Sequence, residues 1–379
     1  MEDRSRRAFA DQPPLAVVRG WCPTAWQPMM AGDGLLVRVR PRLGRMSRPQ
    51  MLGLCDAALR FGNGHIDLTN RAGLQIRGVS DHNHLPLAQA LAAMGLIDPD
   101  AAGDAHAPVI LNPDWTPGDD TETIALALLD RMDELPALPP KVGFAIDAGP
   151  APALTHRPAD FRIERDMNGA LILRADGRDC GMAISVENAV DHVIALTAWF
   201  MTSGGAQAGR MARHAAPLPQ CADRMPAPQR ELAATIAACP GRFLGAPFGR
   251  IDADTLRMAM NEKVHAVRLT PWRGLIMEGD DGPSDNPADP LLSTDACPGA
   301  PGCPQASVHT RDLAAQLAPY VADLHVSGCA KGCARPTQAG TVLTGRDGGF
   351  DLALNARAGA PPVRTGLAPS QIIALFGAS

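Results

Sequence analysis

Gly64-His-Ile-Asp-Leu-Thr-Asn-Arg-Ala-Gly-Leu-Gln-Ile-Arg-Gly78 has a second copy in this chain, Val264-His-Ala-Val-Arg-Leu-Thr-Pro-Trp-Arg-Gly-Leu-Ile-Met-Glu-Gly279. A Leu-Thr pair, a Gly-Leu pair and a final glycine recur at the same spacing in both copies. Each copy alternates apolar and polar residues around a central kink, which is the period of β-strands. A repeat of this kind indicates that a structural module has been duplicated.

Each copy follows a segment whose apolar residues have helical spacing, residues 48–61 in the first and residues 254–262 in the second. A strand pattern lies further upstream in the first copy, at residues 34–40, and has a weaker counterpart at residues 248–251. Because strand, helix and strand follow one another twice, the sequence predicts two α/β half-modules.

A different pattern separates the two copies. Residues 121–135 and 186–201 have the spacing of helices, and residues 141–147 have that of a strand. Asn168-Gly169 lies between two further strand patterns and predicts a hairpin. Residues 204–228 are rich in Ala, Gly, Pro and Arg, which favours a loop or linker.

Four of the nine cysteines form two close pairs near the C-terminus, with the spacings C-x5-C and C-x3-C. The pairs are Cys297 with Cys303 and Cys329 with Cys333, and Gly, Pro and Ala lie between them. A [4Fe–4S] cluster needs four such thiolates on a backbone that can curl around the sulfides. Structural zinc is the alternative, although its usual ligand spacing fits only the second pair.

The other five cysteines are scattered singly, so the odd total argues against a disulfide framework and for a reducing, cytoplasmic environment. The chain has neither the pattern of a secretory signal nor an apolar run long enough for a membrane span. Its net charge of −5, with both signs interspersed, predicts neither a nucleic acid nor a membrane as partner.

The duplicated half-module, the intervening α/β region and the paired cysteines together resemble the sulfite and nitrite reductase superfamily over nearly the whole chain. That resemblance implies a mixed α/β and α+β fold with two ferredoxin-like half-modules and two sulfite-reductase-type α/β domains, the last of which carries the iron–sulfur cluster. The implied bounds are residues 15–80 for the first half-module, 105–203 for the middle domain, 204–230 for a linker, 231–285 for the second half-module and 290–379 for the cluster domain.

In that superfamily, Arg and Gln on paired strands hold the carboxylates of a tetrapyrrole, and the chemistry is sound because a planar guanidinium clamps a carboxylate with two hydrogen bonds. The segments Leu36–Arg40 and Leu68–Gln75 resemble these strands. The resemblance therefore implies a carboxylate-binding set made of Arg38, Arg40, Arg71, Gln75, Arg77 and Lys141.

Two positions depart from the reductases. Leu111 stands where they have an arginine, and Gly143 stands where they have a lysine. A site that holds sulfite or nitrite needs those cations, because an uncompensated oxyanion is costly away from water. The opening Arg19-Gly-Trp-Cys22-Pro instead resembles the precorrin-3B synthase branch of the superfamily.

This second resemblance implies an O2-dependent mono-oxygenase of aerobic cobalamin biosynthesis that acts on precorrin-3A. Its implied cofactors are the [4Fe–4S] cluster and a mononuclear non-haem iron. NADH would supply electrons through a separate reductase, since the sequence has no dinucleotide-binding glycine motif. A monomer is expected. A sirohaem-dependent sulfite or nitrite reductase and a non-catalytic electron-transfer protein are the alternatives.

The ligands of a mononuclear iron are not identified by the sequence. His65-Ile-Asp67 has a spacing found in two-His, one-carboxylate sites, and His82 and His84 follow nearby. Alternation along a strand also places His65 and Asp67 on one face for purely structural reasons. Both interpretations stay open at this point.

Overall fold

The computed structural model describes residues 22–104 and 106–377. These residues divide into two compact units, one of residues 22–293 and one of residues 294–377. The Arg19-Gly-Trp part of the opening motif lies outside the described residues.

The elements are numbered in chain order. The strands are β1 Met29–Ala31, β2 Gly34–Val39, β3 Arg45–Ser47, β4 His65–Leu68, β5 Leu74–Val79, β6 Val109–Leu111, β7 Phe144–Ile146, β8 Phe161–Arg165, β9 Leu171–Ala175, β10 Met182–Ala183, β11 Arg242–Gly245, β12 Arg250–Asp252, β13 Ala266–Leu269, β14 Gly274–Glu278, β15 Asp295–Ala296, β16 Leu324–Ser327, β17 Ala339–Arg346, β18 Gly349–Ala356 and β19 Arg364–Leu367. The helices are α1 Arg48–Phe61, α2 Asp81–Ala93, α3 Ala101–Asp104, α4 Asp120–Asp130, α5 Ala189–Phe200, α6 Ala206–Ala208, α7 Leu232–Ala237, α8 Ala253–Ala259, α9 Pro290–Ser293, α10 Arg311–Leu317 and α11 Pro369–Phe376.

The two repeats exchange strands. One sheet has the order β1-β2-β5-β4-β12, so a strand of the second repeat completes the sheet of the first. A second sheet has the order β11-β14-β13-β3, so a strand of the first repeat completes the sheet of the second. In register, Arg250 lies opposite Asp67, and Arg45 lies opposite Arg268. Neither half-module therefore has a complete sheet without the other.

Backbone conformation repeats with the sequence. Leu43 and Phe248 have φ of 56° and 57° in the tight turns that precede β3 and β12. Ala72 and Arg273 have φ of 49° and 55° in the turns that join β4 to β5 and β13 to β14. A positive φ is uncommon for residues other than glycine. Its recurrence at equivalent positions supports the duplication inferred from the sequence.

Helix α1 covers the predicted residues 48–61, with Ser47 as its N-cap and Pro49 in its first turn. The Ser47 side chain accepts a hydrogen bond from the Gln50 amide, and the Gln50 side chain accepts one from the Ser47 amide, which is a capping box. The buried face of α1 joins one apolar core that is shared by the two repeats and includes Met51 and Leu256.

The middle sheet has the order β10-β9-β8-β7-β6, in which β6, β7 and β8 run parallel. Its core contains residues of α4 and α5, and Phe144, Phe161 and Phe200 pack there. The predicted hairpin around Asn168-Gly169 is formed by β8 and β9. The predicted strand 141–147 is shorter than expected, because the turn that includes Lys141 precedes β7.

The unit of residues 294–377 has a single sheet with the order β15-β16-β17-β18-β19. Strands β15, β16 and β17 run parallel, and β17, β18 and β19 run antiparallel. In the part of the chain that is described, none of the helices has the length and apolarity needed to cross a membrane.

Candidate functional site

The two cysteine pairs follow the ends of neighbouring parallel strands. Cys297 comes directly after β15, and Cys329 lies two residues beyond β16. Because parallel strands end at the same edge of a sheet, both loops leave from one edge. The fold thus explains how two pairs that are far apart in sequence can reach one site.

Hydrogen bonds fix the two loops against each other. The Gly328 amide donates to the Cys297 Sγ at 3.1 Å, and the Thr310 hydroxyl donates to the Cys297 carbonyl at 2.5 Å. A Cβ added at Gly328 would lie 2.6 Å from the Ala306 Cβ, so glycine permits this close approach. Backbone amides that donate to cysteine sulfur are a feature of iron–sulfur sites.

The four thiols are near enough to influence one another electrostatically. Burial raises the pKa of the Cys333 thiol, the nearby Lys331 ammonium opposes this, and the charges of the other three cysteines raise it further. Cys297 is buried, whereas Cys333 is exposed. Four cysteines with an amide donor are the ligand types that a [4Fe–4S] cluster needs, although no three of them form a group that could hold a metal ion in the described residues.

A site for a single metal ion is not assembled in residues 22–104 and 106–377, where no three His, Cys, Asp or Glu side chains are close enough to share one. The possible iron ligands have other partners: His65 Nδ1 lies 2.6 Å from Asp252, and His84 Nε2 lies 2.8 Å from the Ala25 carbonyl. Asp67 pairs with Arg250 at 2.6 Å. In the described residues, His65 and Asp67 thus have structural partners and are not grouped with a third metal ligand, and their role as iron ligands stays a prediction.

Three of the expected carboxylate ligands come together. Arg38 on β2 has the Cys22 side chain as a hydrogen-bonding neighbour, and its Nε is buried without a partner. Arg40 donates to the His106 carbonyl at 2.9 Å, and Arg71 donates to the Lys141 carbonyl at 2.8 Å. None of these three guanidiniums forms an ion pair with a carboxylate of the described chain.

Burial destabilises the charged form of these three guanidiniums more than the neighbouring carboxylates stabilise it. Burial lowers the pKa of Arg38, Arg40 and Arg71, and that of Arg40 falls to about 10. Arg38 and Arg71 also repel Arg40, and the Asp104 carboxylate opposes the fall in its pKa. Elsewhere, buried arginines such as Arg162 and Arg174 have carboxylate partners. A bound carboxylate would remove the destabilisation of the arginine cluster formed by Arg38, Arg40 and Arg71.

Gln75 lies beside this cluster, and Arg77 does not contribute a free charge to it. Gln75 on β5 is in register with Arg38 on β2, so the two share one face of the sheet. Arg77 is buried and donates to Asp33 at 2.7 Å and to Asp67 at 3.4 Å. Because Asp33 and Asp67 together engage all three side-chain nitrogens of Arg77, it has no edge left for a ligand, and we assign it to the fold.

Lys141 contacts the site through its backbone carbonyl, which accepts a hydrogen bond from Arg71, whereas its side chain is exposed.

Sequence reasoning missed Arg210, which lies in the segment expected to be a linker. Arg210 pairs with the buried Asp160, and its charge lowers the pKa of Arg71. No periodic pattern or motif marks Arg210, so only the fold identifies it.

A cavity of about 520 Å³ opens beside the cluster and is lined by Arg40 and Arg71. Apolar side chains such as Leu111 and Trp115 line part of its wall, and the rest includes the carboxylates of Asp98, Asp104 and Asp133. Its volume is within the range of small-molecule sites, about 300–1,000 Å³. Apolar side chains beside guanidiniums suit a ring system with carboxylate substituents, which would bind at the arginines and away from the three aspartates.

Leu111 and Gly143, the two positions that lack a cation, have structural roles. Leu111 is buried in the middle core, and Gly143 donates its amide to Asp160 at 3.1 Å. A Cβ at Gly143 would lie 2.8 Å from the Pro108 carbonyl oxygen, so any side chain there would force the backbone to move. The chain therefore has no room for a lysine at residue 143 without local rearrangement.

Comparison with known proteins gives two sequence matches. Residues 27–94 match the family model described as the nitrite/sulfite reductase ferredoxin-like half domain. A precorrin-3B synthase from Sinorhizobium sp is 30% identical over 91% of this chain and 84% of its own length. The chain belongs to the precorrin-3B synthase family. Its position within the nitrite and sulfite reductase superfamily agrees with the resemblance that the sequence motifs carry.

A solved structure shows the same fold. The Mycobacterium tuberculosis NirA protein matches 89% of this chain and 78% of its own length, with a TM-score of 0.60 and 17% sequence identity. This match confirms the predicted fold class, mixed α/β with ferredoxin-like half-modules. The bounds expected for the individual domains remain predictions.

Proposed function

We propose that this protein converts precorrin-3A to precorrin-3B in aerobic cobalamin biosynthesis. In this reaction, a meso carbon of the tetrapyrrole is hydroxylated and a neighbouring acetate closes a lactone. One oxygen atom of O2 enters the product, and the other leaves as water after taking up two electrons and two protons. The electrons come from NADH through a separate reductase.

The observation that carries the proposal is the arginine cluster, whose three mostly buried guanidiniums form no ion pair with a carboxylate and lie beside a cavity with both apolar and charged walls. A tetrapyrrole with several carboxylates supplies both the charge and the apolar ring that this arrangement requires. The relative that is 30% identical carries the name of the same activity.

The loss of cations at Leu111 and Gly143 favours an organic substrate over a small inorganic oxyanion. Sulfite and nitrite have no apolar surface and depend on charge and hydrogen bonds alone. A tetrapyrrole is held by several separate carboxylates and by its ring, so it does not need those two cations.

The four cysteines Cys297, Cys303, Cys329 and Cys333 would hold the [4Fe–4S] cluster, with the Gly328 amide as a donor to the first sulfur. When bound, such a cluster transfers electrons one at a time. The arginine cluster would orient the substrate, and the apolar side chains of the cavity, such as Leu111 and Trp115, would contact its ring. The family also implies a mononuclear iron, for which the described residues offer no assembled ligand set.

The direct test gives purified protein precorrin-3A, isotopically labelled O2, NADH and a separate reductase. We expect a product that is heavier by one labelled oxygen atom, formed only when all components are present. If protein with a full complement of cluster iron and sulfide forms no oxygenated product, the proposal is contradicted.

An absorption spectrum of protein purified without air separates the alternative functions. A sirohaem reductase would have intense Soret and red bands, whereas a protein with only a [4Fe–4S] cluster would have a broad brown shoulder. Protein that has the shoulder and also oxygenates precorrin-3A is neither a sirohaem reductase nor a simple electron carrier.

A further inference from the structure

We propose that Arg210 is a fourth guanidinium of the carboxylate site, held in place by the buried Asp160. This inference deepens the proposed function and rests on it, because it assigns to Arg210 a carboxylate of the same tetrapyrrole. The sequence gives no sign of it, and the residue lies in the loop that follows α6.

The contacts of Arg210 leave both of its terminal nitrogens available to bind an anion. Its Nε donates to both Asp160 oxygens, at 2.8 Å and 3.1 Å. Neither of its terminal nitrogens makes a hydrogen bond to the described part of the chain, although only 24% of the side chain is exposed. A guanidinium fixed through Nε presents both terminal NH2 groups together, which is the edge that binds a carboxylate with two parallel hydrogen bonds.

Asp160 is suited to a positioning role. Its side chain is completely buried and also accepts hydrogen bonds from the amides of Met211 at 2.8 Å and Gly143 at 3.1 Å. These contacts fix the carboxylate before any ligand arrives. Because Arg210 is fixed through it, the side chain loses little conformational freedom when it binds an anion.

A short hydrogen-bonded path joins Arg210 to the arginine cluster. Asp160 accepts from Gly143, and two residues earlier the Lys141 carbonyl accepts from Arg71. Both guanidiniums are therefore linked by hydrogen bonds to one short segment of the middle domain, residues 141–143. Burial is the main cause of the lowered pKa of Arg71, and repulsion by Arg210 adds to it while Asp160 opposes it. An anion between or beside them would remove this repulsion.

The test measures the binding of uroporphyrin, whose side chains all end in carboxylates, by the quenching of its fluorescence. We expect Arg210→Ala to raise its Kd about tenfold to a hundredfold, as the loss of a charge-assisted bidentate contact predicts. Arg213→Ala is the matched control, since Arg213 is an exposed arginine of the same loop and should leave the Kd unchanged. Arg210→Lys keeps the charge without the fixed edge and should restore only part of the affinity.

Three readings separate the possible failures. Equal Kd values for Arg210→Ala and the parent, with weaker binding by Arg71→Ala, would overturn the role of Arg210 and leave the proposed function standing. A parent protein that binds neither uroporphyrin nor precorrin-3A would overturn both. If Arg210→Ala folds poorly, Asp160→Asn provides the second measurement: weakened binding at unchanged cluster content supports the proposal, and unchanged binding contradicts it.

Discussion

Asp67 and Arg268 occupy equivalent positions in the two half-modules and carry opposite charges. Asp67 lies 3.4 Å from Arg77 on the neighbouring strand, and Arg268 forms an ion pair with Glu278 at the position equivalent to Arg77. The duplicated modules therefore keep a buried ion pair at one place and reverse its direction. This pattern indicates that charge balance between neighbouring strands has been retained and that the identity of each residue has not.

The first prediction concerns the ion pairs of Arg77. Arg77→Met should lower the free energy of unfolding by about 3 kcal/mol, because it leaves the Asp33 carboxylate without its ion-pair partner and Asp67 with Arg250 alone. Arg42→Ala breaks an exposed pair with Asp130 and should cost less than about 1 kcal/mol. Chemical denaturation of both variants provides the comparison, and equal values would refute a structural role for Arg77.

The second prediction concerns the cluster ligands. Replacing any one of Cys297, Cys303, Cys329 or Cys333 with Ser should remove most of the bound iron and sulfide, because a four-thiolate site loses a ligand. Analysis of iron and acid-labile sulfide in protein prepared without air measures this loss. Cys55→Ser and Cys239→Ser are controls, since burial raises the pKa of both thiols to about 12 and keeps them protonated. Full cluster content in two of the four ligand variants would show that the assignment is incorrect.

The third prediction separates a side-chain contact from a backbone contact. Arg71→Ala should weaken precorrin-3A binding by about 1.5–3 kcal/mol, which is roughly tenfold to a hundredfold. Lys141→Ala should have less than about a fivefold effect, because its carbonyl remains to hold Arg71 and its side chain is exposed. Arg60→Ala on the surface of α1 is the control. Parent-like binding by Arg71→Ala would place the substrate elsewhere.

The sequence predicts what depends on local patterns. The repeat and its alternation identified β4, β5, β13 and β14, and the helical spacing identified α1 from its first to its last residue. Contacts between distant segments cannot be predicted from these local patterns. The exchange of β3 and β12 is an example, because each is a three-residue strand whose partner lies in the other repeat.

The same limit applies to the site. Arg38, Arg40 and Arg71 could be proposed from motifs on neighbouring strands, and the structure brings them together. Arg77 belongs to the same strand pattern, yet two carboxylates from other segments neutralise it. Arg210 has no pattern around it at all. Whether an arginine is free or paired depends on the three-dimensional neighbours of its guanidinium, which residue order does not reveal.

The fourth prediction is that the purified protein sustains no useful reduction of sulfite or nitrite with dithionite or a reduced viologen as electron donor. Leu111 and Gly143 lack the cations that such small anions require, and Pro108 leaves no space for a side chain at residue 143. Turnover of either anion by protein that contains a full cluster would overturn the oxygenase proposal.

The last prediction concerns Asp147, a buried carboxylate just beyond β7. Burial raises the pKa of Asp147 to about 6, although hydrogen bonds from the amides of Leu154 and Ala153 and from the Asn112 side chain oppose the rise. The protonated form is therefore favoured in the folded protein relative to the unfolded chain. Stability from this group is complete below pH 4 and is lost as pH rises through about 6.

Asp147→Asn should remove this pH dependence. The Asn112 Oδ1 is buried without a partner, so rotation of that amide lets it accept from the side-chain NH2 group of the variant. Between pH 4 and pH 7, the unfolding free energy of the variant should rise relative to the parent by up to about 3 kcal/mol, because only the parent must ionise a buried group. Denaturation curves for both proteins across this range measure the difference. A difference that stays constant with pH would mean that Asp147 is ionised throughout and that its amide partners alone compensate for its burial.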